Sequence, residues 1–284
     1  MADPAAPRPA PRPVSWEPAF STLGCPNAGV REVARLAREH GCTGVELRCD
    51  PPEGLLTPRT PPAELAETVD LLDRAGVRTR WLAGYVRVAD PGVTDTECLL
   101  ALAELTALAA EVGAVGIRVF PGADRPGPEA DARAVRRLRA AAPQAADAGT
   151  SLLLETHDSH PGGADAARVL SAVDHPAVGA VWDVLHTWRA GESPAESAVL
   201  LAPWLRHVQV KDAVSRQDPR PCLPGTGAVP LDAVPAALTA VGYRAHLSLE
   251  WEKRWYPEIP GLPQALAHTA RALGLPDTWA APGH

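Results

Sequence analysis

Three carboxylates in the second half of the chain each end an apolar run. They are Glu155 in SLLLET, Asp183 in VGAVWDV and Glu250 in AHLSLEW. A buried carboxylate without a partner costs several kcal/mol, so apolar strands should not end in carboxylates unless a cation compensates them. A separate Arg or Lys for each is one explanation, but a shared divalent cation accounts for all three together. The three residues therefore indicate a metal site.

The run LRHVQVK at 205–211 carries polar side chains in alternation. His207, Gln209 and Lys211 fall on one face of a strand, toward the axis if the strands form a barrel. The amide oxygen of Gln209 is a neutral, hard donor that suits Mg²⁺, Mn²⁺ or Ca²⁺ better than Zn²⁺. We therefore predict Gln209 as a weak fourth metal ligand. The alternative is that it hydrogen-bonds to substrate or to a bound water.

Short β-rich runs alternate with amphipathic Ala/Leu-rich runs along the chain. The pattern predicts strands at 19–24, 43–49, 77–84, 115–120, 151–156, 178–184, 205–211 and 245–251. It predicts helices at 28–40, 62–75, 94–112, 129–148, 164–173, 193–202, 231–241 and 262–273, several of them closed by glycine. Eight such units favour an α/β fold, a (β/α)8 TIM barrel in a single domain, whose chemistry sits at the C-terminal strand ends. An open doubly wound sheet is disfavoured because the first turn, GCPNAG, is not a glycine-rich phosphate loop.

Composition limits the class of protein. The 284 residues carry a formal net charge of −7, which disfavours a nucleic-acid partner. No apolar run reaches the ~18 residues of a membrane span, so we expect no membrane partner. The five cysteines form no Cys-x-x-Cys pair, which favours a reducing, cytoplasmic location without structural zinc. We expect a flexible Pro-rich tail at 1–15, the barrel at 16–273 and a second tail at 274–284.

Six motifs occur in a fixed order between residues 16 and 273: GCTGVELR, LLLETHD, VWDVLHT, HVQVKDA, PGTGAVPL and SLEWEKRWYPEIP. The ordered set resembles the xylose-isomerase-like barrel superfamily, specifically its sugar phosphate isomerase/epimerase family. The resemblance implies a divalent-metal site with Glu155, Asp183 and Glu250 as ligands. Where this family usually has a strand-seven histidine ligand, the chain has Gln209, with His207 two residues earlier. We therefore expect Mn²⁺ or Mg²⁺ rather than Zn²⁺.

Members of this family commonly move a proton at a carbon beside a carbonyl. The resemblance implies that the metal polarises the carbonyl and hydroxyl oxygens and stabilises an enediolate, while Glu155 and Glu250 act as acid and base. His186 matches the family histidine that holds a substrate hydroxyl. Arg216, in the loop after strand seven, is a candidate to neutralise an oxyanion or an acidic group.

Four further polar residues are candidates for substrate binding, namely Glu46, His157, His207 and Lys211. Each has a competing interpretation. His157 could bond only to a neighbouring strand, His207 could be a metal ligand, and Lys211 could brace the strand end. Glu46 could form a structural pair with Arg48, two residues later on the same face.

The sequence therefore predicts a divalent-metal-dependent isomerase or epimerase of a keto sugar or related polyol ketone. The alternative is a lyase of the same fold, similar to inosose dehydratases or 3-keto-glycoside-cleaving enzymes, because proton abstraction beside a carbonyl can end in elimination. A non-catalytic barrel with a degraded metal site also stays open because of Gln209. An endonuclease IV-like nuclease is disfavoured by the net charge and by only nine histidines. We expect a small carbohydrate-like substrate, and a homo-oligomer is compatible with the sequence.

Overall fold

The structure, a computed structural model, describes residues 16–50 and 54–275. The predicted N-terminal tail at 1–15 lies outside the described residues, as does the part of the predicted C-terminal tail from residue 276 onward. The remaining two residues of that second tail, Gly274 and Leu275, follow Leu273, which caps the last helix.

Eight parallel strands form a closed barrel, as the alternation of β and α runs predicts. The barrel strands are β1 (Glu17–Ser21), β2 (Gly44–Arg48), β3 (Arg78–Arg87), β4 (Gly116–Phe120), β5 (Leu152–Glu155), β6 (Val178–Asp183), β7 (Leu205–Val210) and β10 (His246–Leu249). Two short strands outside the barrel are β8 (Asp212–Ala213) and β9 (Pro221–Cys222). The barrel order is β1-β10-β7-β6-β5-β4-β3-β2, and β8 pairs only with β9 in a short antiparallel hairpin. Because β1 pairs with both β2 and β10, the barrel leaves no open edge. The predicted (β/α)8 TIM barrel is confirmed.

The helices alternate with the strands. They are α1 (Val30–Glu39), α2 (Pro62–Arg74), α3 (Asp95–Val112), α4 (Pro128–Asp147), α5 (Gly163–Val173), α6 (Val184–Arg189), α7 (Pro194–Leu201), α8 (Val234–Ala240) and α9 (Leu262–Ala272). Capping residues set several ends: the Thr94 hydroxyl accepts from the Glu97 amide at 3.2 Å, and Gly113 ends α3 with φ 68°. The prediction missed α6, which begins directly after Asp183.

Side chains from opposite strands meet inside the barrel. Trp81 of β3 stacks on His207 of β7 with ring centroids 3.7 Å apart, and these strands are not neighbours, so the contact crosses the interior. Trp81 also belongs to a small apolar cluster with Ala19, Leu153 and Val181. This layer fills the middle of the barrel, so a ligand can be held only nearer the strand ends. Within the described residues, none of the helices combines the length and apolar character that crossing a bilayer requires.

His246, at the start of β10, is expected to make stability depend on pH. It is buried, with Nε2 3.1 Å from Thr43 Oγ1 and 3.1 Å from Glu17 Oε2. Burial lowers its pKa to about 4, although Glu17 opposes the shift. A histidine whose pKa is lowered in the folded state contributes stability at pH values above its pKa in the unfolded chain, ~6.5. That contribution is lost as the pH falls from ~6.5 toward the folded pKa of about 4. The free energy of unfolding of the wild type should therefore fall between ~pH 6.5 and ~pH 4, and this fall should be smaller in His246→Gln. Urea denaturation across this pH range measures it. An equal fall in the variant would show that other groups cause the pH dependence.

Candidate active site

Three acidic side chains converge at the C-terminal ends of the barrel strands. Glu155 ends β5, Asp183 ends β6, and Glu250 directly follows β10. One carboxylate oxygen from each lies within 4.8 Å of the other two. The exposed fractions are 0%, 0% and 4%, so water screens their charges little. The structure thus brings together the three carboxylates that the sequence pattern singled out.

Asp183 is oriented by helix α6. Its Oδ1 accepts hydrogen bonds from the backbone amides of Leu185 and His186, at 2.9 and 3.2 Å. An aspartate at a helix N-cap is stabilised by these amides and by the helix dipole. The second oxygen, Oδ2, lies 2.9 Å from Nζ of Lys211. The cap therefore fixes the carboxylate with one oxygen directed to the helix and the other to the acidic cluster.

Glu155 is the least constrained carboxylate of the three. Neither of its oxygens receives a hydrogen bond from the part of the chain that the structure describes. Arg118 Nε lies 3.3 Å from Oε2, and the His157 side chain is a second nearby source of positive charge. Burial raises the pKa of Glu155 to about 8, although Arg118 and His157 oppose the shift. Glu155 can therefore exchange a proton near neutral pH.

Glu250 is held by several groups. Lys211 Nζ donates to Oε2 at 2.5 Å, Arg118 Nη1 donates to Oε1 at 3.1 Å, and Gln209 Nε2 lies 3.3 Å from Oε1. Burial opposes ionisation, but Lys211 and Arg118 outweigh it and lower the pKa of Glu250 to about 2. The two glutamates predicted as an acid–base pair therefore differ, since Glu250 stays ionised while Glu155 titrates.

A layer of hydrogen bonds lies between the acidic cluster and the apolar layer of the barrel. Gln209 Nε2 donates to both oxygens of Glu46, at 2.8 and 3.1 Å. His207 Nε2 lies 3.3 Å and Ser248 Oγ 3.4 Å from Glu46 Oε2. All four side chains are fully buried. The competing interpretation that Glu46 pairs with Arg48 is wrong, because Arg48 Nη2 instead donates to Asp50 at 2.8 Å.

His157 and His186 lie beside Glu155 and form a second candidate ligand group with it, again within 4.8 Å. Their rings are 4.4 Å apart between centroids. Burial lowers the pKa of His157, but Asp158, 2.7 Å from Nδ1, and Glu155 outweigh it and leave that pKa raised. Burial and Lys211 hold the pKa of His186 well below its usual value. His157 therefore favours the charged form and His186 the neutral one.

Arg216 does not join the acidic cluster. It is exposed, and its guanidinium lies 4.8 Å from the ring centroid of Trp188. The backbone carbonyl of Arg216 accepts a hydrogen bond from Arg189 at 3.1 Å. The loop that carries Arg216 also contains the β8–β9 hairpin, so its position could not be read from strand alternation.

Three residues near the cluster have larger roles than the sequence analysis gave them. Arg118 bridges Glu155 and Glu250 and packs over the ring of Tyr85, 5.1 Å from its centroid. Tyr85 was missed because β3 was predicted to end at residue 84, whereas it continues to Arg87. Glu252 is the third partner of Lys211, at 3.1 Å. The alternation of AHLSLEWE already carried the signal for Glu252, which is two residues after Glu250.

The residues present fit a divalent cation of the Mg²⁺ or Mn²⁺ type. Glu155, Asp183 and Glu250 supply hard oxygen donors within 4.8 Å of one another. Glu155 Oε1 and Gln209 Oε1 are buried oxygens that lack a hydrogen-bond donor among residues 16–50 and 54–275. Buried acceptors are normally satisfied, and a cation held by the three carboxylates would satisfy the free oxygen of Glu155.

A closed parallel barrel with acidic residues at its C-terminal strand ends defines the TIM-barrel class of proteins that act on small molecules at that face. Within this class, a sequence model of the xylose isomerase-like TIM barrel family matches residues 34–272. The chain therefore belongs to the xylose isomerase-like TIM barrel family.

Relatives within this fold carry out different reactions. A 3-dehydroshikimate dehydratase of Bacillus anthracis is 34% identical over 86 residues, which span 28% of this chain and only 30% of that protein. The crystal structure of a probable 3-DHS dehydratase involved in petrobactin synthesis, also from Bacillus anthracis, aligns with TM-score 0.70 and 20% identity over 83% of this chain and 93% of that one. A 3-keto-D-glucoside 4-epimerase from E. coli aligns with TM-score 0.71 and 19% identity, over 92% of this chain and 98% of that one. The structural matches support the fold, and the reaction has to be argued from the site.

Proposed function

We propose that this protein is a metal-dependent enzyme that removes a proton from the carbon beside the carbonyl of a small, polyhydroxylated ketone. The observation that carries the proposal is the buried cluster of Glu155, Asp183 and Glu250, in which Glu155 alone receives no hydrogen bond on either oxygen from the described residues. The residues that would hold the cation are these three, with Gln209 as a fourth, neutral ligand. A divalent cation bound there polarises the carbonyl and stabilises the negative charge that develops as the proton leaves.

Glu155 is the proposed base. Its carboxylate is buried and receives no hydrogen bond from the described residues, so its lone pairs are available to a substrate C–H. A base with a pKa near the working pH combines the correct ionisation state with a sufficient driving force for proton transfer. Arg118, 3.3 Å away, limits how far burial raises that pKa.

The two histidines next to Glu155 suit complementary tasks. His157, whose pKa is raised by Asp158 and Glu155, can donate a proton to a departing or developing oxygen. His186, kept neutral by burial, can hydrogen-bond to a substrate hydroxyl, as the family resemblance implied. Arg216, which packs on Trp188 away from the cluster, has no part in the proposed chemistry.

The contacts of Glu250 favour elimination over epimerisation. An epimerase returns the proton from the opposite face, so it needs a second group that exchanges protons as readily as the first. Arg118 donates to Oε1 of Glu250 and Gln209 Nε2 lies 3.3 Å from the same oxygen, whereas no described residue donates a hydrogen bond to Glu155. In an elimination, Glu155 takes the proton beside the carbonyl, the C–O bond at the next carbon breaks, and the hydroxyl leaves as water with a proton from His157.

We therefore propose dehydration of a cyclic hydroxyketone as the outcome, with a substrate of the 3-dehydroshikimate type. The sequence relative with 34% identity, a 3-dehydroshikimate dehydratase, supports this choice, although it covers 86 residues only. Isomerisation or epimerisation of a keto sugar, the outcome predicted from the sequence, is the second candidate. It is supported by the similarity of the whole barrel to a 3-keto-D-glucoside 4-epimerase.

The experiment is a screen in heavy water with Mn²⁺ or Mg²⁺ present. The purified protein is incubated with 3-dehydroshikimate, inososes and keto sugars, and substrate and product are followed by NMR and mass spectrometry. Dehydration of 3-dehydroshikimate gives an aromatic acid, which ultraviolet absorbance also detects. Deuterium at the carbon beside the carbonyl of an epimerised ketone would support the second candidate. Absence of exchange and of product with every ketone would refute the proposed chemistry.

Gln209→Ala tests the proposed fourth ligand. We expect Mn²⁺ affinity to fall by about 10-fold or more, the range typical when a group of a metal site is lost. Ser248→Ala is the matched control, because it also removes a contact to Glu46 but supplies no proposed ligand. The measurement is isothermal titration with Mn²⁺ and Zn²⁺ at one pH, with Gln209→His expected to shift preference toward Zn²⁺. Unchanged Mn²⁺ affinity in Gln209→Ala would remove Gln209 from the ligand set.

A further inference from the structure

Lys211 occupies the centre of the acidic cluster. Its Nζ lies 2.9 Å from Asp183, 2.5 Å from Glu250 and 3.1 Å from Glu252. Its side chain is 4% exposed, so three carboxylates surround a nearly dehydrated ammonium group. An ammonium ion is a compact charge with three donors, and each of the three contacts can use one of them.

The use of lysine at this position is unusual for this chain. The sequence has 27 basic residues of the Lys/Arg type but only two lysines, Lys211 and Lys253. Lys253 contacts the backbone carbonyls of Pro257 and Ile259, outside the acidic cluster. An arginine has a flat, forked head and could not be placed as a point charge between three carboxylates. A compact ammonium group therefore fits position 211 better than a guanidinium group does.

Two of the carboxylates that contact Lys211 are also ligands of the proposed metal. Two members of the metal-binding group, Asp183 and Glu250, are in direct contact with Nζ. An ammonium group and a divalent cation that share two buried carboxylates repel each other strongly, because the surroundings screen them little. Glu252 belongs to the Lys211 contacts but not to the metal group, and at 20% exposure it lies nearer to solvent.

We propose that Lys211 is a resident cation that competes with the divalent metal and moves toward Glu252 when the metal binds. In the metal-free protein Lys211 neutralises Asp183 and Glu250 and keeps the ligands assembled. The measured metal affinity then depends on how much more strongly the shared carboxylates bind the metal than they bind the lysine ammonium. This inference rests on the metal site of the proposed function, but it concerns metal binding and not the reaction.

The test is isothermal titration of the full chain with Mn²⁺, using the wild type, Lys211→Met and Lys253→Met. We expect Lys211→Met to bind Mn²⁺ at least about 10-fold more tightly, because the ammonium that repels the metal and occupies two of its ligands is gone. Lys253→Met removes the same charge close by and should bind like the wild type. Equal or weaker binding by Lys211→Met would overturn the inference, since the lysine would then be neutral toward the metal or would assist it.

Glu252→Gln provides a test that does not depend on how well Lys211→Met folds, because Glu252 is partly exposed. Without the outer carboxylate, the displaced ammonium loses its alternative partner, so Mn²⁺ binding should weaken several-fold. In the Lys211→Met background the same change should have no effect, which makes the pair a double-mutant cycle. Unchanged affinity in Glu252→Gln, or the same loss in both backgrounds, would overturn the proposed movement.

The outcomes separate this inference from the proposed function. If Lys211→Met tightens Mn²⁺ binding while no ketone is turned over, the competition stands and the proposed reaction fails. If the metal supports turnover but Lys211→Met binds it no more tightly, the reaction stands and the competition is refuted. If neither the wild type nor Lys211→Met binds Mn²⁺ or Zn²⁺, the competition and the metal site are both refuted.

Discussion

Glu155→Gln is expected to lower turnover by about 10²- to 10⁴-fold, the loss typical for removal of a general base. The amide cannot accept the proton, and it also removes one of the three anionic oxygens of the metal-binding group. The shape of the side chain is kept, so binding of the ketone should change less than turnover. The measurement is turnover of the ketone identified in the heavy-water screen, together with deuterium exchange at the carbon beside its carbonyl.

Stability provides the control for Glu155→Gln. Burial raises the pKa of Glu155 to about 8, so near pH ~7 the metal-free protein carries this side chain largely protonated, and glutamine should change the melting temperature little. Glu111→Gln, an exposed change of the same type on α3, serves as the matched variant and should keep full activity. Near-wild-type exchange by Glu155→Gln would show that another group removes the proton.

The sequence predicted the barrel well because its signals are local. Each strand is a short apolar run, and glycines with positive φ, such as Gly76 and Gly113, end helices where the prediction placed them. Element ends were less predictable. Strand β3 continues to Arg87 because Arg87 pairs with Phe120 of β4 after a register shift that follows Ala83. Helix α6 was missed because it has only six residues and depends on the Asp183 cap.

The site was predictable only as far as alternation along each strand reaches. Alternation correctly directed Gln209 and Lys211 to the same interior, because side-chain direction depends on the strand alone. The partners of these residues come from across the barrel, at sequence separations of 163 for Gln209–Glu46 and 39 for Lys211–Glu250. No local pattern specifies such distances, so the contact of Glu46 with Gln209 could not be predicted, and Arg48 was the one partner that the alternation suggested for Glu46. The bridge that Arg118 forms between Glu155 and Glu250 could not be recognised for the same reason.

Glu250→Gln is expected to destabilise the metal-free protein, in contrast to Glu155→Gln. Glu250 is the shared partner of two buried cations, Lys211 and Arg118. Removing one member of a buried ion pair typically costs about 3–5 kcal/mol. Lys211 keeps its contact to Asp183 and Arg118 keeps Glu155, so we expect a loss near the lower end of that range. Stability of a domain is about 5–15 kcal/mol in total, so a loss of this size should lower the urea midpoint markedly.

Two controls identify the cause of this loss. Glu252→Gln removes a partly exposed partner of Lys211 and should cost less than about 1 kcal/mol.

The second control is pH. The pKa of Glu250 is lowered to about 2, so its contribution is present above the unfolded value of ~4.3 and is lost as pH falls through the folded one. The difference in unfolding free energy between wild type and Glu250→Gln, measured by urea denaturation, should therefore shrink as pH falls below ~4.3. If Glu250→Gln loses as little unfolding free energy at pH ~7 as Glu252→Gln does, other groups neutralise Lys211 and Arg118 without Glu250. The expected contrast between Glu250→Gln and Glu155→Gln would then be wrong.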